Sequence, residues 1–296
     1  AALRSRGVEL RCGEDYLDDI EEDYIFRAPG IRYDVPGFVR AVERGSILTS
    51  EMQLFFELCP CRIIGITGSD GKTTTTTLIS KILEAAGYRV FVGGNIGRPL
   101  LPELGNMTEN DYAVVELSSF QLHTMTLSPD IAVVTNISPN HLNYHKGMEE
   151  YIAAKENIFT HMRPGGRLVL NAENDYTRDM ANRAADGTDL LFFGKGGDIC
   201  ERDGYITSGG KRILRCSDIL LPGHHNIENY MAAVGALRGI VDADAVHTVA
   251  VTFTGVEHRC ELVGERNGIK YYNSSIDSSP TRTLAALGNF APRSIV

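Results

Sequence analysis

Lys72, Thr73, Glu116, His141 and Lys155 are the residues of this chain whose types and spacing could do chemistry together. The first two lie within the stretch Ile66-Thr67-Gly68-Ser69-Asp70-Gly71-Lys72-Thr73-Thr74-Thr75-Thr76-Thr77, which has the makings of a phosphate-binding loop. The usual spacing, G-x-x-x-x-G-K-[ST], would put glycine at position 66, where this chain has isoleucine, so the loop is a shortened form. A strand running to Thr67, a turn through Gly68, Ser69, Asp70 and Gly71, and a helix starting near Lys72 gather free backbone N–H groups and a helix dipole at one point. Lys72 would bring a full positive charge to the β- and γ-phosphates, and the Thr73 hydroxyl is placed to ligate Mg²⁺. The plainer alternative is a polar turn with an incidental G-K-T, which the flanking strand and helix disfavour. Thr73, with Thr74 beside it, is given a role; Thr75 to Thr77 are tolerated positions for a mediocre helix former.

Magnesium needs a hard oxygen ligand besides phosphate and threonine. Glu116 ends a hydrophobic run, Tyr112-Ala-Val-Val-Glu116, at the strand end where open α/β sheets place ligand groups, although acids there are often only solvated boundary residues. His141 falls in a loop after the next apolar run and could ligate metal, while most loop histidines ligate nothing. Lys155 lies inside a helical stretch, where a solvated charge is the default reading.

These residues need a sheet to hold them. From Arg62 onward, short β-rich runs at 62–67, 88–92, 112–117, 131–136, 167–171 and 190–193 alternate with helical stretches at 72–86 and 148–162. Several runs are almost wholly apolar, as strands buried on both faces should be. Residues 199–214 carry the turn pairs of antiparallel hairpins, and helices are expected at 226–240 and 243–253. The fold class is therefore α/β: a central P-loop-type, mostly parallel sheet with helices on both faces, at 61–255. Partial α/β domains flank it, at 1–60 and, with a hairpin turning at Asn267-Gly268 and a helix from about Pro280, at 256–296.

The 296 residues are 43% hydrophobic and 23% charged, with a net charge of −9. That balance argues against a surface built to grip nucleic acid or anionic lipid. No apolar run approaches the ~20 residues of a membrane span, and the arginines and acids of the first residues do not read as a signal peptide. Six cysteines lack paired C-x-x-C spacing, so reduced thiols in a cytoplasmic protein are expected.

Taken together the motifs resemble the Mur ligases of bacterial cell-wall synthesis. T-G-x-x-G-K-T-T at 67–74 is followed by G-N-I-G at 94–97, E-L-S-S-F-Q-L at 116–122, N-x-x-x-N-H-L at 136–142 and Y-x-x-A-K at 151–155. Downstream, Gly223-His-His-Asn-Ile-Glu-Asn229, His258-Arg259 and Asn273-Ser-Ser-Ile-Asp-Ser-Ser-Pro-Thr-Arg282 keep the family's order. E-L-S-S-F-Q-L and the last stretch are most similar to the member that acts on UDP-N-acetylmuramoyl-L-alanine and D-glutamate.

The resemblance implies an ATP-dependent amide-forming ligase, a monomer using two Mg²⁺ ions, with Gly71, Lys72 and Thr73 on the phosphates of ATP. It implies that Thr73 and Glu116 hold one ion, and that His141 and a carbamylated Lys155 hold the other. Asn226 and Asn229 would lie on the adenine side, Arg259 on the nucleotide phosphates, and Asn95, Ser118 and Ser119 on the UDP-substrate; helix capping is the competing role for the two downstream asparagines. This chain departs from the family at Asn143, where H-x-D is common, at Ser274, where N-D-S is common, and at Ala28, where serine usually precedes the proline. The family's first strand and most of its D-glutamate domain lie outside these residues, so the chain alone is expected to bind ATP weakly and turn over poorly. Competing readings are another Mur ligase, folylpolyglutamate synthase, a nucleotide-binding module without turnover, or a P-loop kinase. The last does not explain His141 with Lys155.

Overall fold

Runs such as Arg62-Ile-Ile-Gly-Ile-Thr67 can pair on both edges and bury both faces, and they assemble into one nine-stranded sheet. The computed structural model describes residues 2–256, 261–275 and 287. The N-terminal segment forms β1 (Tyr24–Phe26), α1 (Pro36–Glu43), β2 (Ile47–Thr49) and α2 (Glu51–Leu58), with β1 and β2 paired in parallel. Pro36 opens α1, as its fixed φ favours, and the helix turns Phe38 and Ala41 onto Ile20 and Ile25. Ser50 caps α2 by accepting the Gln53 N–H.

Then follow β3 (Arg62–Thr67), α3 (Lys72–Ala85), β4 (Val90–Gly94), β5 (Tyr112–Glu116), α4 (Ser119–Leu122), β6 (Ile131–Val134), α5 (Met148–Glu156), β7 (Arg167–Asn171), α6 (Asp175–Met180) and β8 (Asp189–Phe193). After these come β9 (Ile199–Arg202), β10 (Tyr205–Ser208), β11 (Lys211–Arg215), α7 (His224–Leu237), α8 (Ala243–Ala250), β12 (Glu261–Arg266) and β13 (Ile269–Asn273). The order across the sheet is β11-β10-β9-β8-β7-β6-β3-β5-β4. It is parallel from β4 to β9 and antiparallel through β10 and β11.

Alternation along the strands sorts the core into two layers. Ile64, Ile66, Val114, Ile131 and Val133 face α3, α7 and α8, where Leu78, Ile79, Ile82 and Leu83 are fully buried. Ile63, Ala113, Val115, Ala132 and Val134 face α2, α4 and α5. Burying each of the four α3 side chains stabilises the fold by roughly 1.5–3 kcal/mol.

The expected elements form, with shifts at their ends. The second helix stops at Glu156 rather than 162, continuing as turns, and the strand expected at 88–92 runs from Val90 to Gly94. The hairpins after Ile199 are joined to the main sheet through Phe193 and Ile199. The hairpin turning at Asn267-Gly268 pairs β12 with β13; the helix expected from Pro280 lies outside the described residues. No helix among the described residues is long and apolar enough to cross a membrane.

Candidate active site

β3 lies between β5 and β6, and the sheet order reverses about it, so its carboxyl end opens onto the crevice where open α/β sheets bind ligands. The 68–71 loop sits there, stitched to the strand beside it. Ser69 N–H donates to Asn136 O at 2.8 Å and Asp70 N–H to Asn136 Oδ1 at 3.0 Å. Ser69 Oγ donates to Ser138 O at 3.0 Å, accepts the Ser138 N–H at 2.9 Å, and meets Tyr151 OH at 2.9 Å. Gly68 has φ +145° and a β-carbon there would lie 1.9 Å from Thr135 Oγ1; Gly71, at +79°, would place one 2.6 Å from Asn229 Oδ1. Both positions require glycine.

α3 starts at Lys72, as expected. Lys72 Nζ donates to the Gly68 and Ser69 carbonyls at 3.0 Å each, curling back over its own loop. Thr73 Oγ1 donates to Glu116 Oε2 at 2.8 Å, and Asn95 Nδ2 to Glu116 Oε1 at 2.9 Å. Gly94 makes the second contact possible, because a β-carbon there would lie 2.1 Å from Glu116 O. Glu116 is 1% exposed and its hydrogen-bond donors are neutral groups. A buried carboxylate beside a threonine hydroxyl at the mouth of the 68–71 loop is a donor set that fits Mg²⁺.

Lys155, expected from the chain alone to be solvated, is 1% exposed. The helix that carries it packs on the sheet, and its Nζ donates to Gly68 O at 2.7 Å and Thr67 Oγ1 at 3.2 Å, 4.9 Å from the Tyr151 ring centroid. Burial first, and the Lys72 charge second, hold its pKa well below that of an ordinary lysine. Two amines thus share one carbonyl, and burial favours the neutral form of the deeper one.

Asn229 accepts from Thr75 Oγ1 at 3.2 Å with its Oδ1 beside Gly71, and donates to Asn226 Oδ1 at 3.2 Å, so Asn229 stands against the loop and Asn226 behind it. Neither caps a helix: α7 begins at His224 with Gly223 before it, and Asn226 donates to Pro222 O at 2.7 Å. Ser118 and Ser119 separate. Ser118 caps α4 in a reciprocal box with Gln121, whereas Ser119, 2% exposed, turns inward to His145 Nε2 at 2.9 Å. His141 occupies an exposed turn at φ +54°, edge-on to Phe120 at 4.9 Å, and the hydrogen bonds of Lys155 go to the loop rather than to it. Thr74 lies in the first turn of α3, and Arg259 lies outside the described residues.

Sequence reasoning missed Asn136, Thr135, Tyr151, Thr75 and His145. Asn136 and Tyr151 open the motifs N-x-x-x-N-H-L and Y-x-x-A-K, in which the histidine and the lysine carry the more obvious chemistry. Thr75, by propensity only a tolerated helix position, is fully buried at the α3–α7 contact.

Residues 66–237 match the Mur ligase middle domain, and the chain belongs to the Mur ligase family. It is 50% identical over 303 aligned residues to the UDP-N-acetylmuramoylalanine–D-glutamate ligase of Acetivibrio thermocellus, covering 99% of this chain and 65% of that one. It is 49% identical to the ligase of the same name in Clostridium kluyveri, covering 97% of this chain and 64% of that one. The chain therefore spans a little under two thirds of the length of these relatives. Among solved structures, MurF of Acinetobacter baumannii matches with a TM-score of 0.65 at 20% identity, covering 90% of this chain and 68% of that one. UDP-N-acetylmuramate-alanine ligase MurC of Thermotoga maritima matches at 0.62 with 23% identity, covering 97% and 68%. Both share the fold.

Proposed function

We propose that this chain carries the ATP and acyl-substrate sites of a cytoplasmic ligase that joins D-glutamate to UDP-N-acetylmuramoyl-L-alanine in peptidoglycan synthesis. The observation that carries the reading is about 50% identity, along 97–99% of the chain, to ligases of that name. The contact of Thr73 with Glu116 and the burial of Lys155 beside the loop support it at the site. Both substrates, ATP and a UDP-linked sugar, are cytoplasmic compounds.

In this reading Lys72 leaves the Gly68 and Ser69 carbonyls for the β- and γ-phosphates, and the N–H groups of residues 71–73, at the start of α3, face the same oxygens. Thr73 and Glu116 would hold one Mg²⁺; His141 and Lys155, the latter as a carbamate, would hold a second. The ions, when bound, offset the repulsion between two anions that must approach one another. A neutral buried amine is the form of Lys155 that can add CO₂. Asn226 and Asn229 would serve the adenine side, Arg259 the nucleotide phosphates, and Asn95, Ser118 and Ser119 the UDP-substrate.

The acceptor carboxylate oxygen attacks the γ-phosphorus in line while the bond to ADP breaks, giving an acyl-phosphate. The D-glutamate amine then attacks the acyl carbon, phosphate departs with the electron pair, and loss of a proton from nitrogen leaves the amide. The test is ADP release by the whole ligase with ATP, UDP-N-acetylmuramoyl-L-alanine and D-glutamate. Omitting any one should abolish it, and ADP release indifferent to the amine or the acyl substrate would refute the reading.

A further inference from the structure

Arg32 has five N–H groups, and all five are engaged. Nε donates to Asp34 Oδ1 at 2.8 Å; Nη2 donates to Asp34 Oδ2 and to Glu150 Oε1, both at 2.9 Å. Nη1 donates to Glu150 Oε2 at 3.1 Å and to the backbone carbonyl of Tyr144 at 2.6 Å. The guanidinium also lies 5.8 Å from the Tyr33 ring centroid and 5.4 Å from that of Tyr144. Only a planar fork makes this set of contacts; a lysine would supply a point charge. The N-terminal segment, the first turn of α5 and the turn before α5 therefore converge on one side chain.

That turn begins at His141. The N–H groups of Tyr144 and His145 both donate to His141 O at 3.0 Å, and His141 is left-handed, a conformation its surroundings must hold. The far end of the turn is clamped. Arg32 grips Tyr144 O, Tyr144 OH donates to Pro29 O at 3.2 Å, and Lys146 bonds Asp34 through Nζ and Glu150 through its N–H, each at 2.6 Å. Phe120 transmits the packing, stacked 5.7 Å from His145 and edge-on to His141 at 4.9 Å.

His123, His145 and Glu150 bring three metal-ligating atoms within 4.8 Å of one another. Both Glu150 oxygens are already held by Arg32, however, and a cation placed there would face the guanidinium. The cluster is built as a brace.

From this geometry we infer that Arg32 is a positioning residue that fixes the turn 141–145 from the N-terminal segment and so sets where His141 stands. The inference rests on the reading of His141 as a metal ligand. Mn²⁺ binding, followed by the paramagnetic resonance of the free ion with a non-hydrolysable ATP analogue and UDP-N-acetylmuramoyl-L-alanine present, tests it without turnover. Arg32→Met should weaken the His141-dependent class of sites about tenfold or more while leaving the Thr73–Glu116 class within about twofold, as loss of a ligand's supporting shell does. Arg32→Lys should recover only part of the loss. If Arg32→Met does not fold, Glu150→Gln breaks the same fork from its other side and is read the same way. Loss of that class in His141→Ala with none in the Arg32 or Glu150 variants overturns the inference alone, as does equal weakening of both classes. His141→Ala leaving both classes intact overturns the metal reading and takes the inference with it.

Discussion

Glu116 is a carboxylate buried among neutral donors, a costly arrangement for the folded protein unless a cation joins it. Glu116→Gln removes the charge and keeps the shape. It should leave stability within ~1 kcal/mol, since one hydrogen bond is kept and a buried charge removed, and weaken Mg²⁺-ATP binding about tenfold or more. Calorimetric titration with denaturant unfolding separates the two effects. Lys155 makes a complementary prediction. Lys72 also donates to Gly68 O, and Thr67 Oγ1 donates to Leu117 O at 2.7 Å, so removing the Lys155 amine leaves neither partner unsatisfied. Lys155→Met should therefore be at least as stable as the parent, yet lower the ligase rate by ~10²-fold or more. A stable variant with unchanged rate would remove Lys155 from the chemistry. From its helix alone this lysine looked solvated, because periodicity shows which positions face one another but not how deep a helix sits. Its place in the site was visible through the Y-x-x-A-K motif.

At the scale of elements, the 68–71 loop is held from two sides: β6 and the turn after it through Thr135, Asn136 and Ser138, and α7 through Asn229 beside Gly71. The second contact couples α3 to α7 through Thr75, which is fully buried. Thr75→Val keeps the shape and should cost about 1 kcal/mol, whereas Asn229→Ala leaves the buried hydroxyl without its acceptor and should cost roughly 1–3 kcal/mol. Asn229→Ala should also loosen ATP, and equilibrium unfolding beside nucleotide titration would show both. The parallel sheet was legible because residues such as Ile63 and Ile64 are apolar on successive positions, which only a strand covered on both faces tolerates. The loop's dependence on Asn136 was not, since a side chain bonding a backbone N–H across a crevice leaves no periodic trace.

The whole molecule is tied across the join between the N-terminal segment and the central sheet, where Arg32 and Glu150 are 118 positions apart in sequence. No local pattern predicts such a pair, and none predicts Arg27, buried with its guanidinium on Phe120 O and Thr124 Oγ1, each at 3.0 Å. This join should be acid-sensitive. Burial, then the neighbouring His123, lowers His145 from its usual 6.5 to about 4. Between those values the unfolded chain binds more protons, so stability falls as pH drops from 6.5 to 4. The Arg32 hydrogen bonds hold Glu150 at about 2 against 4.5, so its contribution is present above 4.5 and lost towards 2. Thermal melts should show the midpoint falling across both windows. His145→Gln should flatten the upper limb and Glu150→Gln the lower, while a midpoint level from pH 7 to 4 would contradict the assignment. The central claim is that a carboxylate is activated at the phosphate loop as an acyl-phosphate, and an oxygen label tests it most directly. With the acceptor carboxylate carrying ¹⁸O, the phosphate released during amide formation should contain one labelled oxygen drawn from that carboxylate; phosphate free of label would contradict the account.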